Sequence, residues 1–187
     1  MKIGVYVGSF NPPHKGHKVI AEILIQKNDV DQIIFIPTDN YWHKQNLISV
    51  EHRIKMLKLF ASERISVNET LNHLPYTYQI LKALQKEHPS DELVLVIGSD
   101  NFKLLKKWQH ASEILNYQIL VINREGHKIK RVNDENIKII NLDLSNYCAG
   151  TTVRNMIYES SKITDYIEPG VLEYIKQNKL YEEVSDV

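Results

Sequence analysis

Ile3-Gly4-Val5-Tyr6-Val7-Gly8-Ser9-Phe10-Asn11-Pro12-Pro13-His14-Lys15-Gly16-His17 opens the chain with an apolar run, a glycine, two prolines and two histidines. The apolar run reads as a strand ending at Gly8, and the prolines forbid helix across the turn. Behind it Val19, Ile20, Ile23 and Leu24 recur at helical spacing up to Lys27, where Asn28-Asp29 supplies a stop. Strand, tight loop and helix in that order present unpaired N–H groups and a partial positive charge to an anion, phosphate above all. His14 and His17 share one face of that helix start, and Gly16 lets the backbone pass close to a ligand. An isolated His-x-x-His pair is more often a capping histidine beside a surface one. The buried strand before it, the Gly8 to Pro12 turn and the place at a strand's carboxyl end weigh for a site.

Working outward, Ile33-Ile34-Phe35-Ile36 inside Asp31 to Pro37 is an uninterrupted apolar run, the pattern of a strand buried on both faces. Ser49 caps a helix carrying Ile54, Leu57 and Ala61; Ile65-Ser66-Val67 is a short strand; Thr77, Ile80, Leu81 and Leu84 mark a helix ending before Pro89. Leu93 to Ile97 is the clearest buried strand, followed by Gly98-Ser99-Asp100-Asn101 and a helix through Leu104, Leu105 and Trp108. Tyr117 to Ile122 and Ile137 to Leu142 read as strands, with Arg124 to Glu135 a polar, basic surface excursion between them. Helices open at Thr151 and, with proline in its first turn, at Pro169. The pattern predicts an α/β fold: a Rossmann-like open parallel sheet of about six strands, helices on both faces, and a small C-terminal helical segment. Ligands bind beyond the carboxyl ends of such strands, where Gly8 to His17, Pro37 to Lys44 and Gly98 to Asn101 fall.

The 187 residues, 43% of them hydrophobic, suit one domain over 1–187. Lys+Arg and Asp+Glu both count 23, so no general attraction to nucleic acid or to a membrane surface is implied, and any anion site is local. The single cysteine, Cys148, excludes an intrachain disulfide framework and favours a reducing compartment. It reads as a buried structural thiol rather than a redox switch. The first apolar run is too short for a signal peptide and no later one approaches a membrane span, so the expected location is cytoplasmic.

Near the other end, Gly150-Thr151-Thr152-Val153-Arg154 places two hydroxyls at a helix start with an arginine one turn in. Thr151 and Thr152 fit an N-cap, and Arg154 offers a bidentate fork to the same phosphate, although an arginine alone is more often a solvated helix residue. Asp100 suits a hydrogen-bonding role at a strand end and equally a helix-capping one.

The opening stretch looks like the signature of the nucleotidyltransferases with a His/Thr-x-Gly-His motif, and Gly150 to Arg154 resembles their second signature. Within that superfamily the chain, from Lys2 to about Tyr181, most resembles the nicotinate mononucleotide adenylyltransferases. Val50 to Leu59 is similar to their Arg-x-x-Met-Leu helix, Pro75 to Leu81 to their Tyr-Thr helix start, and Gly98-Ser99-Asp100 with Leu104, Leu105 and Trp108 to their Gly-x-Asp strand end and tryptophan. Ile167 to Val171 and Tyr174-Ile175 through Leu180-Tyr181 resemble their C-terminal helix. The resemblance implies transfer of the adenylyl group of ATP to nicotinate mononucleotide, with Mg2+ arriving on ATP and no dedicated metal cage. It implies catalysis by His14, His17 and Arg154. ATP would be held by Gly8, Ser9, Phe10, Gly16, Gly98, Asp100, Thr151 and Thr152, and the mononucleotide by Asn11, Lys44, Thr77 and Trp108. On residues alone Trp108 also reads as core packing and Lys44 as a loop lysine. A homo-oligomer is expected on the resemblance only. Two departures concern specificity: Tyr41-Trp42-His43-Lys44 replaces a Pro-Pro-His-Lys loop, and Gln79 stands where an aspartate is common. The alternatives are nicotinamide mononucleotide or phosphopantetheine as acceptor, and a nucleotide-binding regulator without turnover.

Overall fold

Strands apolar on both faces need a layer on each side, and the chain supplies both by alternating them with helices. The computed structural model describes residues 1–39, 46–124, 126–144, 150–159 and 161–182; Tyr41, Trp42, Lys44 and Cys148 lie outside them. In chain order these give β1 (Lys2–Gly8), α1 (Lys15–Gln26), β2 (Gln32–Pro37), α2 (Val50–Lys58), β3 (Ile65–Val67), α3 (Thr77–Glu87), β4 (Glu92–Gly98), α4 (Ser99–Leu104), α5 (Ala111–Ile114), β5 (Gln118–Ile122), β6 (Ile137–Ile140), α6 (Gly150–Met156) and α7 (Pro169–Gln177). The strands form one sheet in the order β3-β2-β1-β4-β5-β6, every neighbouring pair parallel. This is the Rossmann-like α/β architecture the patterning predicts.

Two cores follow from the pleat. Tyr6, Val94 and Val96 point to the face covered by Ala21 and Leu24 of α1, Met56 and Leu57 of α2, and Val171 and Ile175 of α7. Ile3, Val5, Leu93, Leu95 and Ile97 point to the other, under Ile80, Leu81 and Leu84 of α3. Strand order reverses direction between β1 and β4, so the loops leaving Gly8 and Gly98 diverge and open a crevice at the switch point. Among the described residues no helix is long and apolar enough to cross a membrane.

The structure differs from the sequence reading in two helices, and the first, expected to carry Ala61, ends at Lys58. The helix expected to run through Trp108 stops at Leu104 and continues as a 3₁₀ turn, Leu105–Lys107, before Trp108 goes extended. A continuous helix would have stacked Trp108 one turn along from the half-exposed Leu104, on the outward face. The break turns Trp108 back against the second core, and His110, in the left-handed region at φ 54°, starts the unforeseen α5.

Candidate active site

The turn after β1 is built over an aromatic floor. Phe10 is buried at φ 48°, and its ring meets Tyr6, His17 and Phe35 edge to face at 5.0–5.5 Å. A Cβ on Gly8 above it would lie 3.0 Å from Phe10 Cζ, a tight approach that glycine avoids. Phe10 therefore serves the site by shaping the turn whose main chain a phosphate would meet.

His14 is the N-cap of α1, and its main-chain N–H donates to His17 Nδ1 at 3.3 Å. The two rings stack with centroids 3.7 Å apart. Because Nδ1 of His17 accepts, its proton sits on Nε2, available as a donor. Burial, with the Arg124 guanidinium adding to it, lowers the His14 pKa to about 3. Burial, then His14 and Arg124, hold His17 well below its ordinary value. Both imidazoles are neutral at physiological pH. His14 Nδ1 is buried without a hydrogen-bond partner among the described residues.

The carboxyl end of β4 supplies the opposite wall. Asp100 lies in the first turn of α4, whose N-cap is Gly98, so its carboxylate is not the helix cap. It faces Arg124 Nε at 3.7 Å instead. A Cβ on Gly98 would come 2.8 Å from Arg124 Nε, so glycine is what admits the pair. The sequence pattern makes Arg124 the start of a surface excursion; in the structure it is partly exposed but lines the cleft. Its main-chain N–H donates to the buried Ser99 hydroxyl at 3.0 Å. The buried Asn123 then exchanges two hydrogen bonds with the Ile129 main chain, at 2.9 and 3.0 Å, and pins the segment back over the crevice. Arg124 joins the site as a cation that sequence reasoning missed. An arginine at a strand's carboxyl end was the available signal.

The second motif meets the first directly. Arg154 Nη1 donates to the Asn11 carbonyl at 2.6 Å and Nη2 to Thr151 Oγ1 at 3.1 Å. Thr151 and Thr152 fall inside α6 rather than at its cap, because the helix already begins at Gly150. The Asn11 side chain, expected to hold the mononucleotide, is engaged within the protein: Nδ2 donates to the Asn46 carbonyl at 2.7 Å, and Oδ1 accepts from the Tyr181 hydroxyl at 2.7 Å and the Ile48 N–H at 3.4 Å. Below it, the fully buried Arg53 of α2 donates from Nη1 to the Ser9 and Thr38 carbonyls, both 2.7 Å, and from Nε to the Ile48 carbonyl at 3.0 Å.

These walls enclose a cleft of about 1690 Å³. It brings together Gly8, Ser9, Phe10, Asn11, His14, Gly16, His17, Thr77, Gly98, Asp100, Trp108, Thr151 and Arg154, and adds Tyr6, Lys107, Arg124 and Lys128. Thr152 is exposed and not among the lining residues. Trp108 rests partly on the second core and also lines the cleft. Gln79 Oε1 is buried with no hydrogen-bond partner among the described residues. A strand-end glycine turn, paired neutral imidazoles and several guanidinium and ammonium groups converge on one space, the equipment of phosphate-group transfer.

The family model described as cytidylyltransferase-like matches residues 5–185, and the chain belongs to that family of nucleotidyltransferases. More narrowly, it is 31% identical over 190 residues to the nicotinate-nucleotide adenylyltransferase of Bacillus subtilis strain 168, covering 97% of this chain and 98% of that one. Among solved structures, the nicotinic acid mononucleotide adenylyltransferase of Plasmodium falciparum complexed with NaAD shares the fold with a TM-score of 0.82 at 21% identity, over 96% of this chain and 97% of that one. The same protein complexed with APC gives 0.79 at 22% identity, over 96% of each chain.

Proposed function

We infer that this chain transfers the adenylyl group of ATP to nicotinate mononucleotide, giving deamido-NAD and pyrophosphate. One observation carries the reading: the two motifs meet across the crevice, with Arg154 2.6 Å from the Asn11 carbonyl of the first. The Bacillus subtilis relative, alike over nearly the whole of both chains, supplies the substrate class.

In the reaction a phosphate oxygen of the mononucleotide bonds to the α-phosphorus as the bond to the β-bridging oxygen breaks, and pyrophosphate leaves with the electron pair. Positioning and charge stabilisation supply the catalysis. Neutral His17 donates from Nε2 to the reacting phosphate without changing its own protonation state, and His14, stacked on it, lines the same anion. Arg154 turns from the Asn11 carbonyl and Thr151 towards the departing phosphates, and Arg124 adds positive charge beside the histidines. Gly98 and Asp100 suit the nucleoside end, Thr77 and Trp108 the pyridine ring. ATP reaches such sites with a divalent cation, which we take to be Mg2+; it supplies further neutralisation of the phosphates. Among the described residues no group of three His, Cys, Asp or Glu side chains is placed to hold a metal. A cytoplasmic setting accords with the single cysteine.

The test is pyrophosphate release from ATP and Mg2+ with nicotinate mononucleotide, nicotinamide mononucleotide or phosphopantetheine as acceptor. The expected outcome is release with nicotinate mononucleotide above the other two. Release with none overturns the reading.

A further inference from the structure

We propose that Tyr181, near the end of the chain, is a positioning residue of the active site, acting through Asn11 on the arginine of the second motif. The proposal rests on the adenylyl-transfer reading and extends it to a residue outside the cleft lining.

The C-terminal segment is braced against the motif before it reaches Tyr181. Lys15, the first residue of α1, donates its main-chain N–H to the Tyr166 carbonyl at 2.8 Å and its Nζ to the Thr164 carbonyl at 2.7 Å. Lys18 pairs with Glu168 at 3.1 Å. After α7 the chain folds back. Lys179 and Tyr181 both take the left-handed region, at φ 52° and 61°, a conformation costly for side chains of this kind. Three contacts hold the turn in place: Leu180 N–H donates to the Ile175 carbonyl at 3.0 Å, Tyr158 Oη donates to the Leu180 carbonyl at 2.8 Å, and the Leu180 side chain is buried.

What this effort delivers is a single hydroxyl. Tyr181 Oη donates to Asn11 Oδ1 at 2.7 Å, in a site buried enough to raise the phenol's pKa above its ordinary value despite the nearby Arg154 and Arg53. A hydroxyl that stays protonated is a dependable donor. Asn11 is thereby fixed at every polar position of its side chain that the structure describes, and its carbonyl is the acceptor that parks Arg154. Without the Tyr181 hydroxyl, Oδ1 keeps only the longer 3.4 Å bond from the Ile48 N–H, so Asn11 is held less firmly and the guanidinium's reference point loosens. Because Tyr181 touches neither motif's phosphate-facing groups, its effect belongs to the step in which Arg154 follows the departing charge, and so to kcat.

The experiment compares wild type with Tyr181→Phe, which keeps the ring and removes the hydroxyl, and with Asn11→Ala and the double variant. We expect Tyr181→Phe to lower kcat about fivefold with the KM for ATP within about twofold and the thermal midpoint within a few degrees of wild type. In the Asn11→Ala background the same substitution should cost little more, since the two act in one chain of contacts. Hydrogen exchange supplies a readout independent of turnover: the Ile48 amide, which donates to Asn11 Oδ1, should exchange faster in Tyr181→Phe while amides of β4 stay unchanged. An unchanged kcat, a loss that multiplies in full with that of Asn11→Ala, or unaltered Ile48 exchange each overturns the proposal. Wild-type protein that releases no pyrophosphate with any acceptor removes the reading beneath it, a result distinct from all three.

Discussion

His17 offers a donor on a ring held neutral. Its Nδ1 is occupied by the His14 N–H, and burial keeps the ring neutral, so the Nε2 proton is aimed rather than exchanged. A donor of this kind strengthens its bond as charge builds on the reacting phosphate and contributes little to ground-state binding. His17→Ala should therefore lower kcat by roughly 100-fold or more, the cost of removing one aimed donor, with the KM for ATP changed only about threefold. Steady-state pyrophosphate release decides it; equal changes in kcat and KM would show that the ring only binds. At this scale the sequence was informative where a residue's placement follows from its neighbours in the chain: His14 and His17 do share one face at the start of α1. It was silent where the partner is remote. Asn11 reads as a ligand-facing turn residue, yet its amide is spent on Asn46, Ile48 and Tyr181, up to 170 positions away.

Among the elements, α2 does more than cover the sheet. Its Arg53 replaces the hydrogen bonds that three loop carbonyls, Ser9, Thr38 and Ile48, would otherwise make with water. The loops after β1 and β2 are thus held to one guanidinium. Arg53→Met relieves the cost of a buried charge but strands three acceptors. The net loss should be about 2–3 kcal/mol, lowering the thermal midpoint by about 4–12 °C for a chain of this size. Calorimetry of the variant gives the answer, and an unchanged midpoint would mean the staple carries no stability. β1, β2, β4 and β5 were legible because burial on both faces leaves unbroken apolar runs, β3 and β6 from short runs rich in β-branched residues, and α1, α2 and α3 because their apolar residues keep helical spacing. The 3₁₀ break before Trp108 was not, since Leu104, Leu105 and Trp108 fit one helix face until the tertiary core takes Leu105 and Trp108 and leaves Leu104 exposed. Nor was the return of residues 124–129 over the cleft, which hangs on Ser99 and Asn123, polar side chains that become fixed only inside the folded sheet.

Across the whole molecule the charges cancel, with 23 of each sign, while the cleft does not share that balance: Lys107, Arg124, Lys128 and Arg154 line it against Asp100 and Asp143. A neutral protein has gathered a local positive field at the switch point of its sheet, and the two stacked histidines, His14 buried and His17 half-buried, sit inside it. Folding therefore takes two imidazoles that titrate near 6.5 in the unfolded chain and makes their charged forms unfavourable. The unfolded state then binds more protons than the native state below pH 6.5. Stability is fully present above that pH and is lost as the pH falls towards 3, where His14 itself takes a proton. Each histidine contributes up to about 1.4 kcal/mol per pH unit in this window. The carboxylates whose pKa values are lowered, Glu51, Asp91 and Glu113, act with the same sign but below about pH 4.5, so pH 5 to 7 isolates the pair. Counting one histidine only, the thermal midpoint of wild type should fall by about 4–8 °C more from pH 7 to pH 5 than that of His14→Asn/His17→Asn, which has nothing to protonate there. Equal falls in the two proteins would mean that the imidazoles accept protons in place. Bound ATP should shrink the wild-type fall, because a triphosphate beside the rings offsets the field of Arg124 and lets them charge without unfolding the site.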